Sequence, residues 1–191
     1  MRTRLLLTAA ATLALAACGG NNEADTATDA GATSTATDQA LVDPAATGDA
    51  AAPTDAQGFV DMASSSDMYE IEAGKLAQQM GKDQKVKDFG AMMVADHTKS
   101  SAELKAAAAK ADGVTVNPKL SAKHQANLDA LKNAGDNFDA TYKQQQVAAH
   151  QEALTMLQGF ASGGDNEALK AFASKTAPVV EGHLQQARTL P

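Results

Sequence analysis

Histidines 97, 124, 150 and 183 and the carboxylate of Glu70 carry most of the chain's reactive potential. Imidazole binds Zn, Cu, Fe and Ni, and a carboxylate beside it shifts a site toward Fe or Zn. Met93 stands one helical turn before His97 and would add a thioether that favours copper. The competing reading is structural: a buried imidazole can be satisfied by a carboxylate or carbonyl alone, and Asp96, Asp88, Glu152 and Glu181 are within sequence reach as partners. His124, between Lys123 and Gln125, reads as exposed. Met62, Met68, Met80, Met92, Met93 and Met156 read as helix-packing residues. No Gly-x-Ser-x-Gly and no phosphate loop occur. The single cysteine, Cys18, allows neither an internal disulfide nor a cysteine-only metal cluster.

These side chains need elements to hold them, and apolar spacing predicts helices throughout residues 56–191. Thr54-Asp55-Ala56-Gln57 has the form of a capping box with Thr54 as N-cap. A helix then runs to Met80 with Phe59, Met62, Ser66, Tyr69, Ala73, Leu76 and Met80 inward, and Glu70 beside that stripe. The second helix, 83–111, carries Val86, Gly90, Met93, His97, Ser100, Leu104, Ala107 and Ala111 in alternating steps of four and three. Asn117-Pro118 caps a short helix to Asn133. The fourth, 136–161, aligns Val147, His150, Leu154 and Leu157. The last, 165–190, aligns Leu169, Ala173, Thr176, Val180, His183 and Ala187, with a kink expected at Pro178.

Four long helices and one short one fit a bundle. The segment 112–135 is long enough to run back along the second helix. Helices two and four are therefore expected to be parallel, the connectivity of a ferritin-like bundle. At ~1.5 Å per residue, His97, His150, His183 and Glu70 fall at heights of about 21, 18, 27 and 27 Å, within reach of one mid-bundle site or two pairs.

The acidity belongs elsewhere. The chain has 23 acids against 16 bases. Residues 19–55 hold seven of those acids and no Lys or Arg, which leaves 14 bases and 16 acids, a net of −2, for residues 56–191. Nucleic acid is thus not an expected partner. The 18–55 stretch, rich in Gly, Asn, Thr, Ala and Asp, reads as a disordered tether. Before it, basic Met1–Arg4 and apolar Leu5–Ala17 read as a signal peptide over residues 1–17, since thirteen residues are too short to span a bilayer. Leu15-Ala16-Ala17-Cys18 resembles a bacterial lipobox. That implies export, a lipid on Cys18 and attachment to the membrane through it. Gly19 in place of Asp implies sorting to the outer membrane, facing the periplasm.

Phe59, Ala63, Glu70-Ile71 and Gly74-Lys75-Leu76-Ala77 precede Phe89-Gly90-Ala91-Met92-Met93-Val94-Ala95-Asp96-His97-Thr98. Then come Phe138-Asp139-Ala140-Thr141-Tyr142, Gln146-Val147, His150, Leu169-Lys170-Ala171-Phe172-Ala173, Pro178 and His183-Leu184. Together these resemble the bacterial exported proteins grouped as domain of unknown function 4142. The resemblance implies a ferritin-like helical fold over about residues 56–190 and no established reaction. Ferritin-like oxidases use Glu-x-x-His on inward faces. Glu181-Gly182-His183 is one residue short of that motif, and His97 has Val94 at the Glu position, so a di-iron ferroxidase is not expected. Two function classes remain. One is an envelope protein binding Fe, Zn or Cu through Glu70, His97, His150 and His183. The other is a non-enzymatic envelope protein with structural core histidines.

Overall fold

The computed structural model describes residues 52–191, so the expected signal peptide, Cys18 and most of the tether lie outside the described residues. The helices are α1 (Ala56–Met80), α2 (Gln84–Ala108), α3 (Ala122–Lys132), α4 (Phe138–Gly163) and α5 (Glu167–Arg188), with a 3-10 turn, Gly135–Asn137, before α4. Among the described residues there is no strand.

The termini of the helices fix their directions. The backbone N–H groups of Lys82 and Asp83, just after α1, donate to the Asp139 carboxylate at the start of α4. At the other end the Asp165 N–H, just after α4, donates to the carbonyl of Thr54, just before α1 (3.2 Å). Hence α1 runs antiparallel to α4. α2, which pairs with α1 as a hairpin, runs parallel to α4, as the long crossover requires. Four long helices form the bundle and α3 is the extra short one. The start of α1 coincides with the expected boundary at residue 56, although Thr54 already touches the bundle.

Several local expectations are corrected by capping chemistry. Asp55, not Thr54, caps α1: its carboxylate accepts from the Gly58 N–H at 2.7 Å. Gln57 instead clasps the crossover, donating to the Thr115 carbonyl and accepting from its N–H, each at 2.9 Å. α2 ends at Ala108 rather than Ala111, where shorter-range bonds from Lys110 and Ala111 tighten the chain before Gly113 turns at φ 77°. α3 begins at Ala122, because Pro118 lies outside any helix and Ser121 provides the cap, its Oγ accepting from the His124 N–H. Pro178 lies inside α5, which continues past it to Arg188, so the proline does not end the helix.

On α1 the inward face is rotated from the expected one. Phe59, Tyr69 and Ala73 are buried as expected, but Met62 is exposed and Ser66, Leu76 and Met80 are only half-buried, while Ala63, Asp67, Glu70, Gly74 and Ala77 are buried. The reason is the α1–α2 seam. A Cβ on Gly90 would stand 2.7 Å from the Ala77 Cβ and 2.7 Å from the Gly74 carbonyl oxygen, and one on Gly74 would stand 2.6 Å from the Gly90 oxygen. Only paired glycines permit this approach. Two turns from that contact, seven residues back on α1 and seven forward on α2, lie Asp67 and His97. The glycine seam therefore brings a carboxylate against an imidazole.

The core is layered. One apolar cluster gathers Phe59, Leu104, Leu157, Phe160, Leu169 and Phe172, with Phe59 stacked on Phe160 at 4.0 Å between ring centroids. Another gathers Tyr69, Val86, Phe89, Met93, Phe138 and Tyr142. Between them, along every long helix, lies a buried polar layer: Asp67, Glu70, His97, Gln146, His150 and His183.

Candidate metal centre

Each long helix contributes to this layer because a polar residue interrupts its apolar stripe at the same height. Burying six such groups is costly unless they are partnered. Most of the required bonds are visible. His97 Nδ1 lies 2.8 Å from Asp67 Oδ1. Ser101 Oγ donates to the other Asp67 oxygen at 3.3 Å. His150 Nδ1 lies 2.9 Å from the Gln146 backbone carbonyl. His183 Nε2 lies 3.0 Å from Asp96 Oδ2. Gln146 Nε2 donates to Glu70 Oε2 at 2.7 Å.

Every one of these histidine partners is an acceptor, so in each neutral ring the bonded nitrogen carries the proton and the other nitrogen keeps its lone pair. Those other nitrogens, His97 Nε2, His150 Nε2 and His183 Nδ1, are buried and find no partner in the protein. The three rings form a near-equilateral triangle with centroids 5.5–5.9 Å apart. One ring nitrogen from each of His97, His150 and His183 lies within 4.8 Å of those of the other two.

Glu70 stands outside this group of three. Its Oε1 is 3.8 Å from His150 Nδ1, the ring nitrogen already held by a carbonyl, and its other oxygen is taken by Gln146. His124 is half-buried rather than exposed. Its Nδ1 is 2.9 Å from Ser65 Oγ, and its ring stacks on Tyr69 at 4.9 Å. Met93 is fully buried in the apolar layer with Phe89 and Tyr142.

Electrostatics divides the rings. Burial, aided by the charge of His97, pushes His150 down to about 3. Burial also lowers His183, outweighing its bond to Asp96. Burial opposes charge on His97 too, but the bond to Asp67 and the nearby Glu70 hold it above the usual value. Burial raises Glu70 to about 7. His150 and His183 are thus neutral near pH 7, the state in which imidazole coordinates.

The sequence does not single out Asp67, marks Gln146 only among the residues that carry the family resemblance, and offers Asp96 as one of four candidate partners. The available signal for Asp67 was its position three residues before Glu70, on the face shared with Ala63, Ala73 and Ala77.

A family model described as "Domain of unknown function (DUF4142)" matches residues 41–190. Among solved structures, one described as "CopM in the Cu(II)-bound form" is similar, with a TM-score of 0.60 and 18% identity over 70% of this chain and 93% of that chain. At that identity the likeness concerns the fold. No curated protein matches the chain.

Proposed function

The chain belongs to the family described as Domain of unknown function (DUF4142), and on that footing we propose that it is an envelope protein that binds one transition-metal ion through His97, His150 and His183. The observation that carries this reading is the convergence of three buried imidazoles, each offering a ring nitrogen within 4.8 Å of the other two and each holding one nitrogen anchored and one without a partner in the protein. Purely structural histidines would be expected to use both nitrogens. The anchoring by Asp67, Asp96 and a carbonyl is the outer-shell pattern that orients metal-binding imidazoles. Bonds of ~2.0 Å put imidazole nitrogens about 3.3 Å apart around a tetrahedral ion and about 2.8 Å apart at adjacent corners of a tetragonal one. A closure of roughly 1.5–2 Å from the 4.8 Å limit would therefore suffice.

Cu(II) is the preferred ion. Three nitrogens with no thiolate suit copper or zinc, and copper binds such donors more strongly. The Cu(II)-bound state of the similarly folded CopM supports that choice. Iron fits less well, because Glu70 stands behind His150 rather than among the free nitrogens. Glu70 acts in this reading through Gln146 and His150. The site binds and sequesters metal; no substrate is assigned.

Export, a signal peptide over residues 1–17 and a lipid on Cys18 form the other half of the proposal, with residues 18–55 tethering the domain to the outer membrane. Native mass spectrometry of the protein extracted from membranes tests both halves. The expected result is acyl mass on Cys18 and one metal ion per chain. An unacylated mature chain would refute the anchor, and a chain without metal after loading would refute the site.

A further inference from the structure

The proposed ligands are buried, so an ion needs a route to them. A cleft of about 40 Å³, room for a few water molecules, opens among α1, α2, α4 and α5. His97 and His183 line it, whereas His150 does not. Asp96 lines it too, and its side chain is 43% exposed while holding His183 at 3.0 Å. Asp67 is a second lining carboxylate, and Ser100 and Thr176 add hydroxyl oxygens. No lysine or arginine is among the lining residues. Val179, 49% exposed, lies on the same cleft.

We propose that a divalent transition-metal cation reaches the three histidines through this cleft, and that Asp96 is the capture point that passes it to His183 and His97. This rests on the three-histidine reading. The sequence of contacts follows from what each residue touches. Asp96 is part-exposed and hydrogen-bonded to His183, so it joins solvent to a ring of the triangle. A half-exposed carboxylate attracts a hydrated cation while water still screens it only partly. The cation exchanges water for the oxygens of Asp96 and the neighbouring hydroxyls. It then exchanges those for the unpartnered nitrogens of His183 and His97, and His150 completes the set from the far side. Asp96 is a positioning residue for His183 in the loaded state and a capture residue during loading.

The two roles separate kinetically. A capture residue lowers the barrier in both directions and leaves the equilibrium almost unchanged, whereas a residue that only orients His183 changes affinity. Asp96→Asn keeps an acceptor for His183 Nε2 and removes the charge. Stopped-flow mixing of the untagged chain with Cu(II) at low ionic strength, followed by transfer to a chelator, measures both rates. Uptake should slow about five- to tenfold, beyond any change in Kd that the altered anchor of His183 brings, and 0.5 M salt should narrow the uptake difference to below about twofold. Val179→Trp, which places bulk at the cleft one helical turn before His183, should slow both rates as well. Circular dichroism and melting confirm that each variant is folded. A Kd weakened tenfold or more with unchanged uptake would overturn capture and leave Asp96 as an orienting residue only. Unchanged rates in both folded variants would overturn the route. A wild-type chain that holds no Cu(II) at equilibrium would overturn the three-histidine reading and the route with it, an outcome distinct from the other two.

Discussion

Saturating Cu(II) should raise the melting temperature of the untagged chain by about 5–10 °C, because an ion bound only by the folded state adds RT ln(1 + [L]/Kd). At a hundredfold excess over Kd that is about 2.7 kcal/mol, and a domain of this size shifts by roughly 2–4 °C per kcal/mol. Zn(II) should give a smaller shift. His97→Ala should abolish the shift and also lower the metal-free stability by about 1–3 kcal/mol, because the buried Asp67 carboxylate would lose its partner. Thermal melts with and without chelator on both proteins read the two effects separately. If the histidines were purely structural, the wild type would show the same melt in metal and in chelator.

Glu70 provides a second large effect, independent of metal. Burial raises its carboxyl from 4.5 to about 7 in the folded state. The folded protein therefore keeps a proton that the unfolded chain has released, and the unfolded state binds fewer protons across that window. The sign is unfavourable with rising pH: stability contributed by Glu70 is full below pH 4.5, falls as pH rises toward 7, and levels off above it. The shift corresponds to an upper limit of about 3 kcal/mol. Glu70→Gln removes the titration, and its amide oxygen can still accept from Gln146. The difference in metal-free unfolding free energy between wild type and Glu70→Gln, from denaturant titrations at several pH values, should decline by up to that amount between pH 4.5 and 7. The titrations of His150 and His183 are common to both proteins and largely cancel, whereas that of His97, raised in part by Glu70, contributes to the difference. A difference that is flat with pH would show that Glu70 is ionised in the fold throughout.

Periodicity made most of the architecture legible. The alternating four- and three-residue steps on α2 identify its inward face, including His97, because no competing polar residue interrupts the stripe until Ser100. The same method erred on α1, where Met62 looked like core. There the packing is set by close approach of Gly74 and Gly90, a constraint between two helices that one helix's apolar pattern does not contain. The rotation hid Asp67. Likewise, Val147 stood out on α4 while the buried position is its neighbour Gln146, an amide whose role exists only because Glu70 lies opposite. The histidines were legible as a group because rise per residue is uniform along helices, so heights could be compared across the bundle. Whether each nitrogen was free or held was not legible, since that depends on partners more than fifty residues away for Asp96 and His183, and on a backbone carbonyl for His150. The resemblance to domain of unknown function 4142 was visible in the segment around Asp96-His97, and the family match extends over nearly the whole bundle.

X-ray absorption at the copper K-edge of the Cu(II)-loaded untagged chain tests the three-histidine centre most directly, because it counts imidazole ligands. The expected shell contains three imidazole nitrogens at ~2.0 Å, with His97→Ala reducing the number. A shell with a single imidazole, or one dominated by sulfur from the chain's methionines, would contradict the assignment of His97, His150 and His183 as the ligands.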